Sequence, residues 1–190
     1  GKLAEYVRDA KAALNSMTVD STGVPKKRSG SRAEREASGP RTYTLTVGEE
    51  KIDLSQKNLG PADVALVTAW LQRPEVSAVL NSVTLDSTGV MKNEYGRTGQ
   101  GTQKTYTLTV GEEKIDLSQK NLGSADVALV ASWLQQPEVS AALNSVTIDS
   151  TGDTKDRRGD WQNGGPKTYT LTTGEEHLEL SSKNLGSADV

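Results

Sequence analysis

The chain has 190 residues, a formal net charge of −3 and no cysteine. The acidic balance argues against nucleic acid as a partner, because domains dedicated to nucleic acid are usually strongly basic. The absence of cysteine excludes disulfides, thiolate metal sites and cysteine nucleophiles, and it favours a reducing, intracellular compartment. No apolar run approaches the ~18 residues that a membrane-spanning helix requires, and the first residues do not have the pattern of a signal peptide.

Residues 2–14 are rich in helix-forming types and place Leu3, Tyr6 and Val7 at helical spacing, which predicts a first helix. Residues 14–23 then alternate apolar and polar side chains, the period of a half-buried strand. The following segment, residues 23–41, has no apolar periodicity and carries Pro, Gly and Ser throughout. We expect it to be a mobile loop.

Residues 42–47, TYTLTV, alternate strictly and predict another strand. Gly48 begins a turn that leads into the shorter alternating segment at residues 51–55, so the pattern predicts a hairpin. Gly60 and Pro61 then open a second helix, because proline suits the first helical position, and Pro74 ends it. The expected apolar face of this helix contains Val64, Val67, Trp70 and Leu71.

The segment at residues 42–89 is a repeated unit. It returns at residues 105–152 with 42 of its 48 positions identical, and its first 23 positions return with a few changes at residues 168–190. The copies begin 63 residues apart, and this spacing divides the chain into a partial copy, two full copies and another partial copy at residues 1–41, 42–104, 105–167 and 168–190. Only the loops at residues 23–41, 90–104 and 153–167 vary strongly.

The repeat also bears on the two ends of the chain. Gly1 falls inside the first predicted helix, and Val190 is the fourth residue of another. Terminal repeats of a solenoid normally carry a polar capping face, and neither end shows one. We therefore expect residues 1–190 to be one array taken from a longer solenoid.

The spacing of the strands predicts how they pair. The centres of the LNSVTLDS-type and KIDLS-type strands are 31 or 32 residues apart, at Ile52, Val83, Ile115, Val146 and Leu178. Coils of nearly equal length stack in register. We therefore expect these strands to form one parallel sheet.

The segment LNSVTLDSTGV at residues 80–90 resembles the LxxLxLxxNxL pattern of the leucine-rich repeat family, with Thr88 in the asparagine position. The segment NLGPADVALVTAWL at residues 58–71 is similar to the helical half of the ribonuclease-inhibitor-like subclass. The resemblance implies an α/β solenoid whose parallel sheet has its helices and its loop or hairpin returns on the other side. It also implies a role in binding other macromolecules, and no cofactor.

Polar side chains between the apolar strand positions form the first candidate site. In the expected sheet, four aspartates would form a staggered column, Asp53, Asp86, Asp116 and Asp149. This column suits a basic partner, or weak binding of a hard cation through oxygen ligands. The alternative is a charged face that serves solubility only.

The variable loops form the second candidate site. Together they carry a net charge of +7, which leaves −10 on the rest of the chain. Variable loops on a rigid scaffold often hold binding residues; the alternatives are plain linkers, or basic loops that lie against their own acidic framework. The loop residues best suited to contact a partner are large aromatics and arginines, Tyr95, Arg97, Arg157, Arg158 and Trp161.

No catalytic constellation emerges, since the chain has one histidine, no cysteine and no phosphate-binding glycine motif. The sequence therefore predicts a non-catalytic scaffold or interaction module, without cofactor or metal, that binds a protein partner through the sheet face and the loops. The near-identity of the copies suggests a partner that is itself repetitive, such as a polymer or a lattice. The alternatives are a structural spacer in a large assembly, and the recognition part of a larger enzyme or receptor.

Overall fold

A computed structural model of the chain describes residues 2–9, 14–23, 39–89, 91–92, 98–99, 103–153, 160–162 and 164–190. The variable loops lie largely outside the described residues, and so does the mobility predicted for residues 23–41. The described helices are α1 (Lys2–Asp9), α2 (Pro61–Leu71), α3 (Pro74–Ser77), α4 (Ser124–Leu134) and α5 (Pro137–Ala142). The described strands are β1 (Ser16–Asp20), β2 (Thr42–Thr46), β3 (Lys51–Asp53), β4 (Ser82–Asp86), β5 (Met91–Lys92), β6 (Thr98–Gly99), β7 (Thr105–Thr109), β8 (Lys114–Asp116), β9 (Ser145–Asp149) and β10 (Thr168–Thr172).

The predicted second helix is confirmed as α2. Pro61 occupies its first turn, and the predicted apolar positions Val64, Val67, Trp70 and Leu71 are all buried. The chain leaves α2 before Pro74, which begins the short helix α3 rather than an irregular segment. The second copy repeats this arrangement in α4 and α5.

The strands pair in small sheets that follow one pattern. Strand β4 lies between β3, to which it is parallel, and β7, to which it is antiparallel. Strand β9 likewise lies between the parallel β8 and the antiparallel β10. Strands β1 and β2 form an antiparallel pair, and so do the two-residue strands β5 and β6.

The predicted leucine-rich-repeat-type solenoid, with one continuous parallel sheet, is therefore wrong. The expected parallel neighbours Ile52 and Val83 do lie in register, as do Ile115 and Val146. However, β7 occupies the edge of β4 that β8 would need, so the two sheets that contain these parallel pairs each end after three strands. Leu178, the fifth expected strand centre, lies outside the described strands.

The hairpin predicted between residues 42–47 and 51–55 is also wrong, because β2 pairs with β1 and not with β3. The TYTLT strands thus belong to the sheets themselves, not to a return on the other side. The number of apolar side chains that each strand offers explains this pairing. In the second copy, Leu108 and Tyr106 of β7 lie opposite Val83 and Leu85 of β4, whereas β3 offers the single apolar side chain of Ile52.

A single buried cluster joins the sheets to the helices. Helix α2 packs against both α1 and α4, so the helices form a layer of their own. Trp70 and Trp133 are the largest fully buried side chains of this layer. The sheets contribute alternate side chains such as Leu45 and Leu85, and their opposite faces remain polar. This division leaves one polar sheet face in each copy as a candidate site.

Candidate functional site

The polar face of each three-stranded sheet carries the same side chains in the same register. In the first sheet, Asp53 of β3 lies beside Thr84 of β4, which lies opposite Thr107 of β7. The equivalent positions in the second sheet are Asp116, Thr147 and Thr170. The aspartates and the outer-strand threonines are exposed, and the central threonines are half-buried. We call these two surfaces the Thr–Asp faces.

Cross-strand hydrogen bonds order the threonines of both faces. The Oγ1 atoms of Thr84 and Thr107 lie 2.9 Å apart, and those of Thr147 and Thr170 lie 2.9 Å apart. A similar pair joins Thr18 of β1 to Thr44 of β2 at 2.8 Å. Because each hydroxyl is held by its neighbour, the face presents side chains of defined orientation.

The predicted column of four aspartates does not form, because its members lie on two separate sheets. Asp86 accepts hydrogen bonds from Thr105 Oγ1 and the backbone N–H of Gln56, each at 2.6 Å. Asp149 has the equivalent partners, Thr168 Oγ1 and the N–H of Gln119. These two carboxylates therefore tie neighbouring segments of the chain together.

The other two aspartates of the predicted column are exposed. Asp53 accepts a hydrogen bond from the N–H of Ser55, and Asp116 accepts one from the N–H of Ser118, both at 2.9 Å. Hydrogen bonds from these serines hold the pKa of Asp53 and the pKa of Asp116 below the ordinary aspartate value. Both carboxylates thus remain charged under mildly acidic conditions and available to a partner.

Four of the predicted loop residues, Tyr95, Arg97, Arg157 and Arg158, lie outside the described residues. The fifth, Trp161, is half-buried and lines a cleft of about 360 Å³. The cleft lies between the start of α4 and the turn at Gly186, where the second and third copies meet. Trp161 is therefore separate from the Thr–Asp faces.

A carboxylate that sequence reasoning missed recurs in the copies that begin at residues 42, 105 and 168, and it is buried in the first two and half-buried in the last. Asp126, at the start of α4, accepts hydrogen bonds from Thr88 N at 2.8 Å, Thr88 Oγ1 at 2.7 Å, Tyr106 Oη at 2.9 Å and Gly123 N at 2.8 Å. Asp63 and Asp189 are bound by equivalent residues. We call each such set a carboxylate clasp. The Thr, Tyr and Asp residues that form each clasp occupy equivalent positions in the copies. This repetition was the signal in the sequence that could have indicated the clasps.

The clasps determine how the copies hold their shape. Asp126 is fully buried, and its partners come from the end of β4, from β7 and from the start of α4. A buried charge persists only when hydrogen bonds or a counter-charge satisfy it. Four donors satisfy this carboxylate, so we assign Asp126 and its equivalents to architecture and not to chemistry on a substrate.

The clasps predict a loss of stability at high pH. Burial, with the charge and hydrogen bond of the adjacent aspartate, raises the pKa of Tyr43 and of Tyr106, and it raises the pKa of Tyr169 to about 12. Above about pH 10 the unfolded chain loses the tyrosine proton while the folded chain keeps it. The free energy of unfolding must therefore fall as pH rises through this range.

Urea unfolding at intervals between about pH 8 and 11 measures this fall, since an unperturbed tyrosine titrates near pH 10. In the triple variant Tyr43→Phe, Tyr106→Phe and Tyr169→Phe, the fall should be much shallower, although the protein is less stable at every pH. Replacing the exposed Tyr6 by Phe should leave the fall unchanged. An equally steep fall in the triple variant would contradict the role of the clasps.

The described residues contain no group of three or more His, Asp or Glu side chains arranged to hold a metal ion. Within the same residues, no helix combines the length and the apolar character needed to cross a membrane.

Comparison with known proteins yields no relative of this chain. No family model, no curated protein sequence and no solved structure matches it. The resemblance to the leucine-rich repeat family accordingly stays a prediction from the motif.

Proposed function

We propose that this protein is a non-catalytic interaction or scaffold module that binds a protein partner through its Thr–Asp faces and its projecting loops. The observation that carries the proposal is the repetition of one exposed face, with the same threonine pair and the same aspartate, in two successive sheets. Such a repeat offers a partner two equivalent contacts on one chain.

The restricted motion of the backbone and side chains in each face favours binding. The apolar sides of β4 and β7 are buried in the common cluster, so the backbone beneath the threonines is held in place. The hydroxyl pairs then limit the rotation of the threonine side chains. A partner that contacts such a surface loses less conformational entropy than one that orders a flexible surface.

The charges of each face define the kind of partner. Lys51 and Asp53 are exposed two positions apart on β3, and Lys114 and Asp116 repeat the pair on β8. A complementary partner surface carries both signs of charge together with hydroxyl or amide groups. Two linked contacts raise the overall affinity without any new kind of interaction, provided that the partner repeats at the same spacing.

Affinity capture from an extract of the source cells, followed by mass spectrometry, tests the proposal. The variant Thr84→Val, Thr107→Val, Thr147→Val and Thr170→Val removes the hydroxyls of both faces and keeps β-branched side chains in the strands. We expect it to lose the captured protein partner. A variant restricted to one face should retain weaker capture, because one of two linked contacts remains.

The matched control changes the exposed helix positions Ala65 and Ala128 to Ser, away from the sheets. It should capture the same partner as the unmodified chain. If the four-valine variant also captures that partner undiminished, the faces are not the contact. Replacing the three variable loops by Gly-Ser segments in parallel shows how much of the capture depends on the loops.

A further inference from the structure

We propose that the cleft lined by Trp161 is a binding site for a small neutral saccharide. The cleft has a volume of about 360 Å³, which is at the lower end of the range of about 300–1,000 Å³ found for small-molecule sites. A mono- or disaccharide unit suits this size. The site lies at the junction of the second and third copies, and the proposal stands independently of the function proposed for the Thr–Asp faces.

The lining of the cleft combines apolar surface with hydroxyl and amide groups. Trp161, Leu122 and Pro166 provide the apolar part, and Ser124, Ser187 and Asn121 lie around it. A pyranose ring has the complementary character, since its C–H faces are apolar and its rim carries hydroxyls. Apolar walls with a few polar groups that set orientation are typical of small-molecule sites, and the indole adds a large flat contact surface.

The electrostatics of the cleft disfavour an anion. The start of α4 borders the cleft, and a helix N-terminus by itself attracts negative charge. Here the carboxylate of Asp126 already lies at that N-terminus, where it accepts the hydrogen bond from Gly123. Asp153 is the one carboxylate among the described residues that line the cleft, and no lysine or arginine is among them. A ligand that donates hydroxyl hydrogens is therefore preferred over a phosphate or a carboxylate.

The position of Trp161 is specific to the copy at residues 105–167. The loop at residues 90–104 contains no tryptophan, and neither does the loop at residues 23–41. Trp161 packs beside Gly165, which has a φ of +91° and would bring a Cβ atom to 3.3 Å from the indole Cδ1. The absence of a side chain at residue 165 thus leaves room for the ring at the edge of the cleft.

Tryptophan emission gives a direct test, because the other two tryptophans, Trp70 and Trp133, are 0% and 1% exposed. Iodide in solution should therefore quench Trp161 selectively. We would titrate the unmodified chain with cellobiose, maltose and lactose, each in the presence of iodide, and with inorganic phosphate as the anionic probe. We expect at least one disaccharide to protect Trp161 in a saturable manner, and phosphate to give no protection.

Two variants complete the test. Ser124→Ala with Ser187→Ala should weaken disaccharide binding by about tenfold, the effect of losing hydrogen bonds of ordinary strength. Trp161→Ala should abolish the binding heat measured by calorimetry, while its circular dichroism and the emission of Trp133 show that the chain is folded. The four-valine variant of the Thr–Asp faces is the control and should bind the disaccharide normally.

Three results would overturn the assignment. They are the absence of protection by every disaccharide, protection by phosphate alone, and binding heat that survives Trp161→Ala. Each of these results leaves the partner capture by the Thr–Asp faces untouched. Conversely, failure of the capture experiment does not alter the emission of Trp161, so the two proposals fail separately.

Discussion

Replacing Asp126 by alanine is expected to lower the free energy of unfolding by about 3–5 kcal/mol, because the change strands buried hydrogen-bond donors. The carboxylate accepts four hydrogen bonds of 2.7–2.9 Å, from Thr88, Tyr106 and Gly123. Asp126 itself is fully buried, so water does not compensate for the lost acceptor without a rearrangement of the fold. The end of β4, strand β7 and the start of α4 should loosen together.

Urea denaturation monitored by tryptophan emission measures this loss, since Trp133 is buried in the same helix. Asp126→Asn has the same shape but loses acceptor capacity, and it should fall between the alanine variant and the unmodified chain. Asp116→Ala is the matched control. Its carboxylate is exposed on the sheet face, so its removal should change the free energy of unfolding by at most about 0.5 kcal/mol. If Asp126→Ala and Asp116→Ala lowered the free energy of unfolding equally, the structural role assigned to the clasp would be wrong.

Replacing Gly89 by alanine should destabilise the protein by about 3 kcal/mol or more, as expected for overpacking against a rigid neighbour. A Cβ atom at this position would lie 2.0 Å from the carbonyl oxygen of Asn121 and 2.7 Å from its carbonyl carbon. The obstacle is backbone, so a change of side-chain rotamer does not relieve it. Asn121 also donates its side-chain N–H to the carbonyl of Gly89 at 2.8 Å, so the same clash breaks a hydrogen bond between the two segments.

Thermal and urea unfolding of Gly89→Ala should be compared with those of Gly111→Ala. Gly111 has a φ of +82° and open space around its Cβ position. Its replacement carries only the cost of a left-handed conformation, about 1–2 kcal/mol. The close approach recurs elsewhere, because a Cβ atom at Gly23 would lie 1.9 Å from the carbonyl oxygen of Asn58, and one at Gly152 would lie 2.4 Å from that of Asn184. A Gly111 variant as unstable as the Gly89 variant would show that the close approach does not hold the segments together.

The helices and the buried faces were predictable from local pattern. The run from Pro61 to Leu71 has helical spacing between a proline that opens it and a proline that follows it, and it forms α2 as expected. The alternation in residues 42–47 puts the apolar Tyr43 and Leu45 on one side of the strand, and both are buried. In each case the deciding interactions lie within a few residues along the chain.

The candidate site was predictable only in part. Exposure of Asp53, Asp116 and the threonines follows from alternation along each strand, but the threonine pairs depend on which strands are neighbours. The cleft beside Trp161 also depends on contacts between distant segments, since it brings Trp161 close to Asn121 and Ser187. Tyr95, Arg97, Arg157 and Arg158 remain predictions, because the structure does not describe them.

By itself, then, the sequence determined the 63-residue repeat, the helices α2 and α4 and the apolar side of the strands. Only the tertiary structure decided the pairing of the strands and the partners of the buried aspartates. Alternation specifies a face but not a neighbour, and β7 joins β4 because Leu108 and Tyr106 meet Val83 and Leu85 there. The clasp on Asp126 likewise joins residues 20 and 38 positions away in the chain. Such a contact becomes favourable only after the chain has folded around it, which is why no local pattern indicates it.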